Sequence, residues 1–170
     1  KETSVKEKQK PYLQYRIGKM YASGFGTEQN NEQAAYWFFQ ASEANHKYAQ
    51  YSLAGLYHRG QGVEQNDMRA FSLYRSSAEQ GNPYASLELA KMYRDGLGTE
   101  PDPKLAERGF QDAYSGFVML EEKSHDDKLQ YRIGQMLHTG TGTEADDKRA
   151  AEYWEKSAKL GNTNKSEGQA

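Results

Sequence analysis

Residues 49–81 read AQYSLAGLYHRGQGVEQNDMRAFSLYRSSAEQG, and this stretch decides the fold. Ala49, Leu53, Leu56 and Tyr57 recur at the spacing of one helix face. Gly60 ends that helix, because glycine enters the left-handed region without the Cβ penalty of other residues. A short loop through Gly62 and Val63 leads to Asn66, one turn before Ala70. Asparagine is a favoured N-cap there, since its side-chain oxygen accepts an orphan amide proton of the next helix. Ala70, Tyr74, Ser77 and Ala78 then share one face of a second helix that ends near Gly81.

The same order recurs along the chain. Gly-x-Gly pairs stand at Gly24/Gly26, Gly60/Gly62, Gly96/Gly98 and Gly140/Gly142, at spacings of 36, 36 and 44 residues. Three further columns keep that irregular series: Ala34, Ala70, Ala106, Ala150; Phe38, Tyr74, Phe110, Trp154; and Ile17, Leu53, Leu89, Ile133. Asn30, Asn66, Asp102 and Asp146 occupy the N-cap position in turn, with Pro103 at the favoured first helical position. A lone helix pair leaves its apolar faces uncovered, whereas stacked pairs bury them and curve into a superhelix. The expected fold is all-α, a right-handed α-α superhelix (solenoid) of four helix-turn-helix repeats over 12–46, 47–82, 83–125 and 126–162. Helices are predicted at about 12–23, 31–45, 48–59, 67–80, 84–95, 103–123, 126–139 and 147–160, between a charged segment 1–11 and a tail 163–170. The chain also reads as cut from something longer, because a fifth repeat is due after Gly161-Asn162 and no polar capping helix is visible.

Composition narrows the function classes. The chain has 170 residues, a net charge of −2 and a pI of about 6.1, so no global basic field recruits nucleic acid. No apolar run approaches the roughly 18 residues that span a bilayer, and no membrane partner is expected. Zero cysteines exclude disulfides, thiolate-bound metal and thiol catalysis, and fit a cytoplasmic location. The 13 tyrosines and 16 glycines owe their numbers to the repeat columns.

Read family-wise, Ala49, Leu53, Tyr57, Gly60, Gly62, Val63, Ala70, Ala78 and Gly81 resemble the Sel1-like repeat, a relative of the tetratricopeptide repeats with a longer loop. The second repeat departs from that pattern at Ala54, Asn66 and Arg69. The resemblance covers about residues 12–162 and implies an adaptor or scaffold for protein–protein interaction. A narrower stretch, Ala113-Tyr-Ser-Gly-Phe running into Asp126-Asp-Lys-Leu-Gln-Tyr-Arg-Ile-Gly, is similar to the Sel1-type regions of Gram-positive mobilisation relaxases. That second resemblance implies the bacterial helical appendage of a relaxase, contacting DNA or the transfer machinery.

No residue constellation points to catalysis, a cofactor or a metal. The Gly-x-Gly pairs lack the preceding strand and third glycine of a dinucleotide site and the Gly-Lys-Ser/Thr of a P-loop, and they recur at helix ends as turns. His46, His58, His125 and His138 are not paired at metal-ligand spacing and read as solvated or interface histidines. Asp126-Asp127 and Asp146-Asp147 fall at helix starts, where capping and the helix dipole account for them.

Aligning each first helix with a tetratricopeptide helix assigns the concave groove. It holds Tyr12, Tyr48, Tyr84 and Lys128; Tyr15, Tyr51, Leu87 and Tyr131; Lys19, Gly55, Lys91 and Gln135; Ala22, His58, Arg94 and His138; and Ser23, Arg59, Asp95 and Thr139. Lys19, Arg59, Lys91, Arg94 and Lys128 against Asp95 make a local balance of +4. Two readings stand for the tyrosines: padding between neighbouring first helices, or anchors that pack a peptide or stack bases beside cations. The expected partner is an acidic or C-terminal-carboxylate peptide or protein, with single-stranded DNA as the alternative. The spacing of 44 places eight extra residues at the end of the third repeat, and the stripe Ala106, Phe110, Ala113, Phe117, Leu120 continues through them as helix. One face does not bury all of Phe117-Val118-Met119-Leu120, so Val118 or Met119 is expected at the surface as a possible second patch.

Overall fold

Every described element is a helix: α1 (Glu2–Ser23), α2 (Asn31–Glu43), α3 (Lys47–Arg59), α4 (Asp67–Glu79), α5 (Pro83–Asp95), α6 (Pro103–Ser124), α7 (Asp127–Thr139) and α8 (Asp147–Glu167). The structure, a computed structural model, describes residues 2–167, and side chains over 6–161. The architecture is all-α, of the repeat-superhelix class, with each repeat a pair of helices.

One loop design is used four times. Gly24, Gly60, Gly96 and Gly140 end the first helices with φ of 72, 65, 68 and 69°. The N-cap side chains of Asn30, Asn66, Asp102 and Asp146 accept from Gln33, Arg69, Leu105 and Arg149 amides at 3.1, 3.1, 3.1 and 3.0 Å. Their own amides reach back to the carbonyls of Tyr21, Tyr57, Tyr93 and Leu137 at 2.9, 2.9, 2.8 and 2.9 Å. Capping and closure together satisfy groups that a helix end otherwise leaves unpaired.

The second glycine of each pair has another task. A Cβ on Gly62 would strike the Asn31 carbonyl, one on Gly98 the Asp67 carbonyl, and one on Gly142 the Phe110 carbonyl. Each of these loops therefore rests its backbone directly on the second helix of the preceding repeat.

The chain divides into two compact units, residues 1–106 and 107–170. In the first unit α1 packs on α2, α2 on α3, α3 on α4 and α4 on α5. Its core runs through Ala34, Phe38, Leu53 and Leu56 into Ala54, Ala70, Tyr74, Ala85 and Met92. In the second unit α7 packs on α8, with Ala113, Phe117, Ile133, Leu137 and Ala150 wholly buried.

The eight extra residues are helical. α6 has 22 residues against 13 in α2 and in α4. By the 36-residue repeat, Gly142 should rest near residue 103, the counterpart of Asn31 and Asp67; it rests on Phe110, seven residues on. Seven residues is about two turns of helix, so the contact slides along α6 and keeps its face.

Two boundaries differ from the sequence reading. α1 begins at Glu2, not at 12, because the Glu-, Lys- and Gln-rich segment is made of good helix formers that carry no apolar stripe. α8 runs through Gly161 to Glu167, so the expected end near 160 and most of the tail become helix; residues 168–170 lie outside the described residues. Gly81 turns with φ 84° and is followed by Asn82 and Pro83, which start α5. No proline follows Asn162 to begin another helix, and Gly161 stays in the helix.

Candidate functional site

In the first unit the sequence-assigned aromatics form two steps. Tyr15 of α1 lies 6.2 Å from Tyr48 of α3, centroid to centroid, and Tyr51 of α3 lies 6.1 Å from Tyr84 of α5. Each step joins one first helix to the next. His46 stacks on Tyr15 at 4.8 Å, and Tyr74 of α4 backs Tyr51 at 5.8 Å. Tyr15 and Tyr51 are thus half-buried padding between helices, while Tyr12 and Tyr48 keep 50% and 36% of their surface exposed. Arg16 donates to the Tyr12 hydroxyl at 3.0 Å, and Lys47 lies 5.3 Å from the Tyr48 centroid. Burial, then the neighbouring Tyr48, raises the Tyr15 hydroxyl pKa. Burial, then Glu88, raises that of Tyr74 strongly, so both remain neutral phenols.

Beside these steps a cleft of about 340 Å³ opens between α1 and α3. Lys19, Ala22 and Ser23 form one wall; Tyr51, Ser52, Gly55 and Arg59 form the other; Phe38, Leu56 and Tyr74 complete it. Six of these were assigned to the groove from sequence: Lys19, Ala22, Ser23, Tyr51, Gly55 and Arg59. Ser52, Leu56, Phe38 and Tyr74 were missed, Leu56 because it belongs to the core stripe of a first helix and the last two because they belong to that of second helices.

The charge is narrower than the count of positions gives. Arg94 forms a two-pronged pair with Asp95 at 2.9 and 3.1 Å, which holds the Asp95 carboxyl below its usual range. Lys91 is paired with Glu88 at 3.2 Å. Glu88 stands one helical turn before Lys91, outside the assigned groove columns, and its reach corrects the expected balance of +4. Lys19 and Arg59 have no carboxylate partner among the described residues.

His58 is paired within its own repeat: its Nδ1 meets Asp67 Oδ1 at 2.7 Å. In the second unit His138 repeats this with Asp147 at 2.7 Å. The carboxylate at the start of each following helix explains both, and sequence spacing of nine residues was the available signal. His46, read as a solvated or interface residue, is the N-cap of α3, its Nδ1 accepting from the Ala49 amide at 3.2 Å. Also in the second unit, Gln135 donates to the Tyr131 hydroxyl at 3.1 Å, and Tyr131 is 52% exposed. Met119 is exposed on α6, while Val118 is half-buried.

The Sel1 repeat pattern matches residues 11–46, 47–82, 83–108 and 128–162. Among solved structures, a Sel1 repeat protein from Oxalobacter formigenes is 28% identical, with a TM-score of 0.64 over 88% of this chain and 58% of that one. A protective antigen of uropathogenic Escherichia coli strains displaying an SLR fold is 22% identical, with a TM-score of 0.61 over 91% of this chain and 39% of that one. A Sel1 repeat protein from Klebsiella pneumoniae subsp. pneumoniae, 18% identical, has a TM-score of 0.50 over 95% of this chain and 92% of that one. The chain therefore spans less than two thirds of the first two. No curated protein matches it in sequence. Among the described residues no helix is long and apolar enough to cross a membrane.

Proposed function

Because the chain belongs to the Sel1 repeat family, whose members generally serve as protein-interaction scaffolds, we propose that it binds a peptide or protein along α1, α3 and α5 without catalysing a reaction. One observation carries this reading: the aromatic steps Tyr15–Tyr48 and Tyr51–Tyr84 run beside a cleft whose cations, Lys19 and Arg59, are unneutralised. Tyrosine supplies large contact area at low conformational cost, and unpaired cations favour an acidic partner. Tyr12 and Tyr48 present the exposed rings; Tyr15 and Tyr51 hold the steps in place.

A peptide selected from a random display library on the purified chain provides the ligand for a test. Tyr48→Ala together with Tyr84→Ala abolishes its binding, read by fluorescence anisotropy, while circular dichroism shows the helices retained. Unchanged affinity in the folded double variant sinks the groove assignment. The same assay with labelled single-stranded DNA at low and physiological salt decides the DNA alternative, since phosphate binding falls with a steep log–log salt slope. DNA binding that survives physiological salt would replace the peptide reading.

A further inference from the structure

We propose that the cleft between α1 and α3 is a carboxylate-binding subsite, in which Lys19 and Arg59 together receive the carboxylate of a bound peptide. This deepens the peptide-scaffold reading and rests on it.

The argument begins at Gly55. Its column is filled by Lys19 in the first repeat and Lys91 in the third, and only α3 leaves the place empty on the first unit's face. The Arg59 guanidinium fills it: a Cβ on Gly55 would stand 3.0 Å from Nη1 and 3.1 Å from Nη2. Gln61 accepts from Arg59 Nε at 2.9 Å and fixes the other edge of the group. The guanidinium is thus laid back along α3 beside the cleft, on a residue that remains exposed. Across the cleft, Lys19 of α1 rests its ammonium 5.6 Å from the Tyr15 ring centroid.

Two cations of different elements therefore border one concavity, and neither has a carboxylate at ion-pair distance among the described residues, while Glu88 and Asp67 act electrostatically on Tyr74. Ser23 and Ser52 line the walls with their hydroxyls engaged, Ser23 donating to the Met20 carbonyl and Ser52 hydrogen-bonded to Tyr15, and Tyr74 keeps its proton. Phe38 and Leu56 supply an apolar floor for the carbon next to the carboxylate. Planar guanidinium forks match the two oxygens of a carboxylate, and an ammonium adds a point charge.

Toward α5 the face argues against a polynucleotide. Phosphate chains gain affinity from a long line of free cations; Arg16 and Lys47 stand beside Tyr12 and Tyr48, but on α5 Lys91 and Arg94 are held by Glu88 and Asp95. The cleft itself, of about 340 Å³, is at the lower end of small-ligand pockets. A single anionic group fits it better than a track of phosphates.

The test uses the full chain, isotope-labelled, and three acetylated tetrapeptides followed by amide NMR. One ends in a free carboxylate, one is its C-terminal amide, and one is an amide with two internal glutamates. The expected result is saturable movement of the Ser52 and Gly55 amides with at least one carboxylate peptide and none with the neutral amide. Whichever carboxylate peptide binds names the source, a chain terminus or an acidic side chain. Lys19→Met and Arg59→Met, which keep the stems and remove the charges, each weaken that binding about tenfold. The proposal is overturned if the neutral amide binds equally, if both variants keep full affinity, or if inorganic phosphate or a thymidine oligonucleotide moves the same amides at lower concentration. Loss of the subsite while Tyr48→Ala and Tyr84→Ala still release the selected peptide leaves the scaffold reading standing. Carboxylate binding at Gly55 that persists beside intact affinity in the tyrosine variant keeps the subsite and discards the groove.

Discussion

His46 carries two duties on one ring: Nδ1 accepts the Ala49 amide proton, and its face stacks on Tyr15. Burial, then the charge of Lys47, lowers its pKa from the ordinary 6.5. The folded chain therefore binds fewer protons at this site than the unfolded chain does. Its contribution to stability is fully present above about 6.5 and is lost as pH falls through the lowered folded value. His46→Asn retains a good cap and cannot titrate, so the drop in Tm between about pH 7.5 and about pH 5 should be smaller in the variant. An equal drop in both chains refutes this, because it would place the sensitivity in other groups. Residue identity announced the four Asn and Asp caps, since those side chains cap wherever a helix begins. Histidine caps only when its neutral nitrogen happens to face the first turn, so His46 was not legible. Nor were the partners of Lys91 and Arg94, which depend on side-chain reach across columns and not on the columns themselves.

At the scale of the element, α6 differs most from its counterparts. Its added turns bring Phe117 to full burial, with the Arg132 guanidinium 5.2 Å from the ring centroid. They also bury Glu121, which accepts from Gln130 Nε2 at 2.9 Å. Phe117→Ala removes a wholly enclosed ring, at a cost of about 3–5 kcal/mol. Hydrogen exchange of the α7 amides should accelerate accordingly, and exchange unchanged within tenfold would show that α6 is not what holds α7. The existence and the helical nature of the insertion were legible because the apolar stripe continues through it. The seven-residue slide of Gly142 was not, because a backbone contact between repeats leaves no side-chain pattern to read.

For the whole molecule, four columns of residues sharing one irregular spacing were enough to read an all-α repeat fold. The boundary between the two compact units falls within α6, the helix in which the spacing of the columns lengthens from 36 to 44. Charge shows the same division between what position gives and what geometry gives. A chain of net −2 carries a local positive spot, and its extent is set by which carboxylates reach which cations. Glu88→Gln together with Asp95→Asn should remove the two negative charges beside Lys91 and Arg94 and make the face of α5 more positive. Association with the selected peptide, where acidic, should then become faster and more dependent on salt. Rates that stay the same at low salt would mean that α5 does not face the partner.

The glycines that touch a neighbouring helix set a rule for how such a chain changes length. Gly62, Gly98 and Gly142 leave no side chain to take up a mismatch, so a loop meets its neighbour only where a carbonyl comes round to the right face. A helix presents that face again after about seven residues, as the teeth of a screw recur along its shaft. Repeats joined this way gain or lose about a pair of turns; here the spacing grows by eight residues, from 36 to 44, and the contact of Gly142 moves seven along α6.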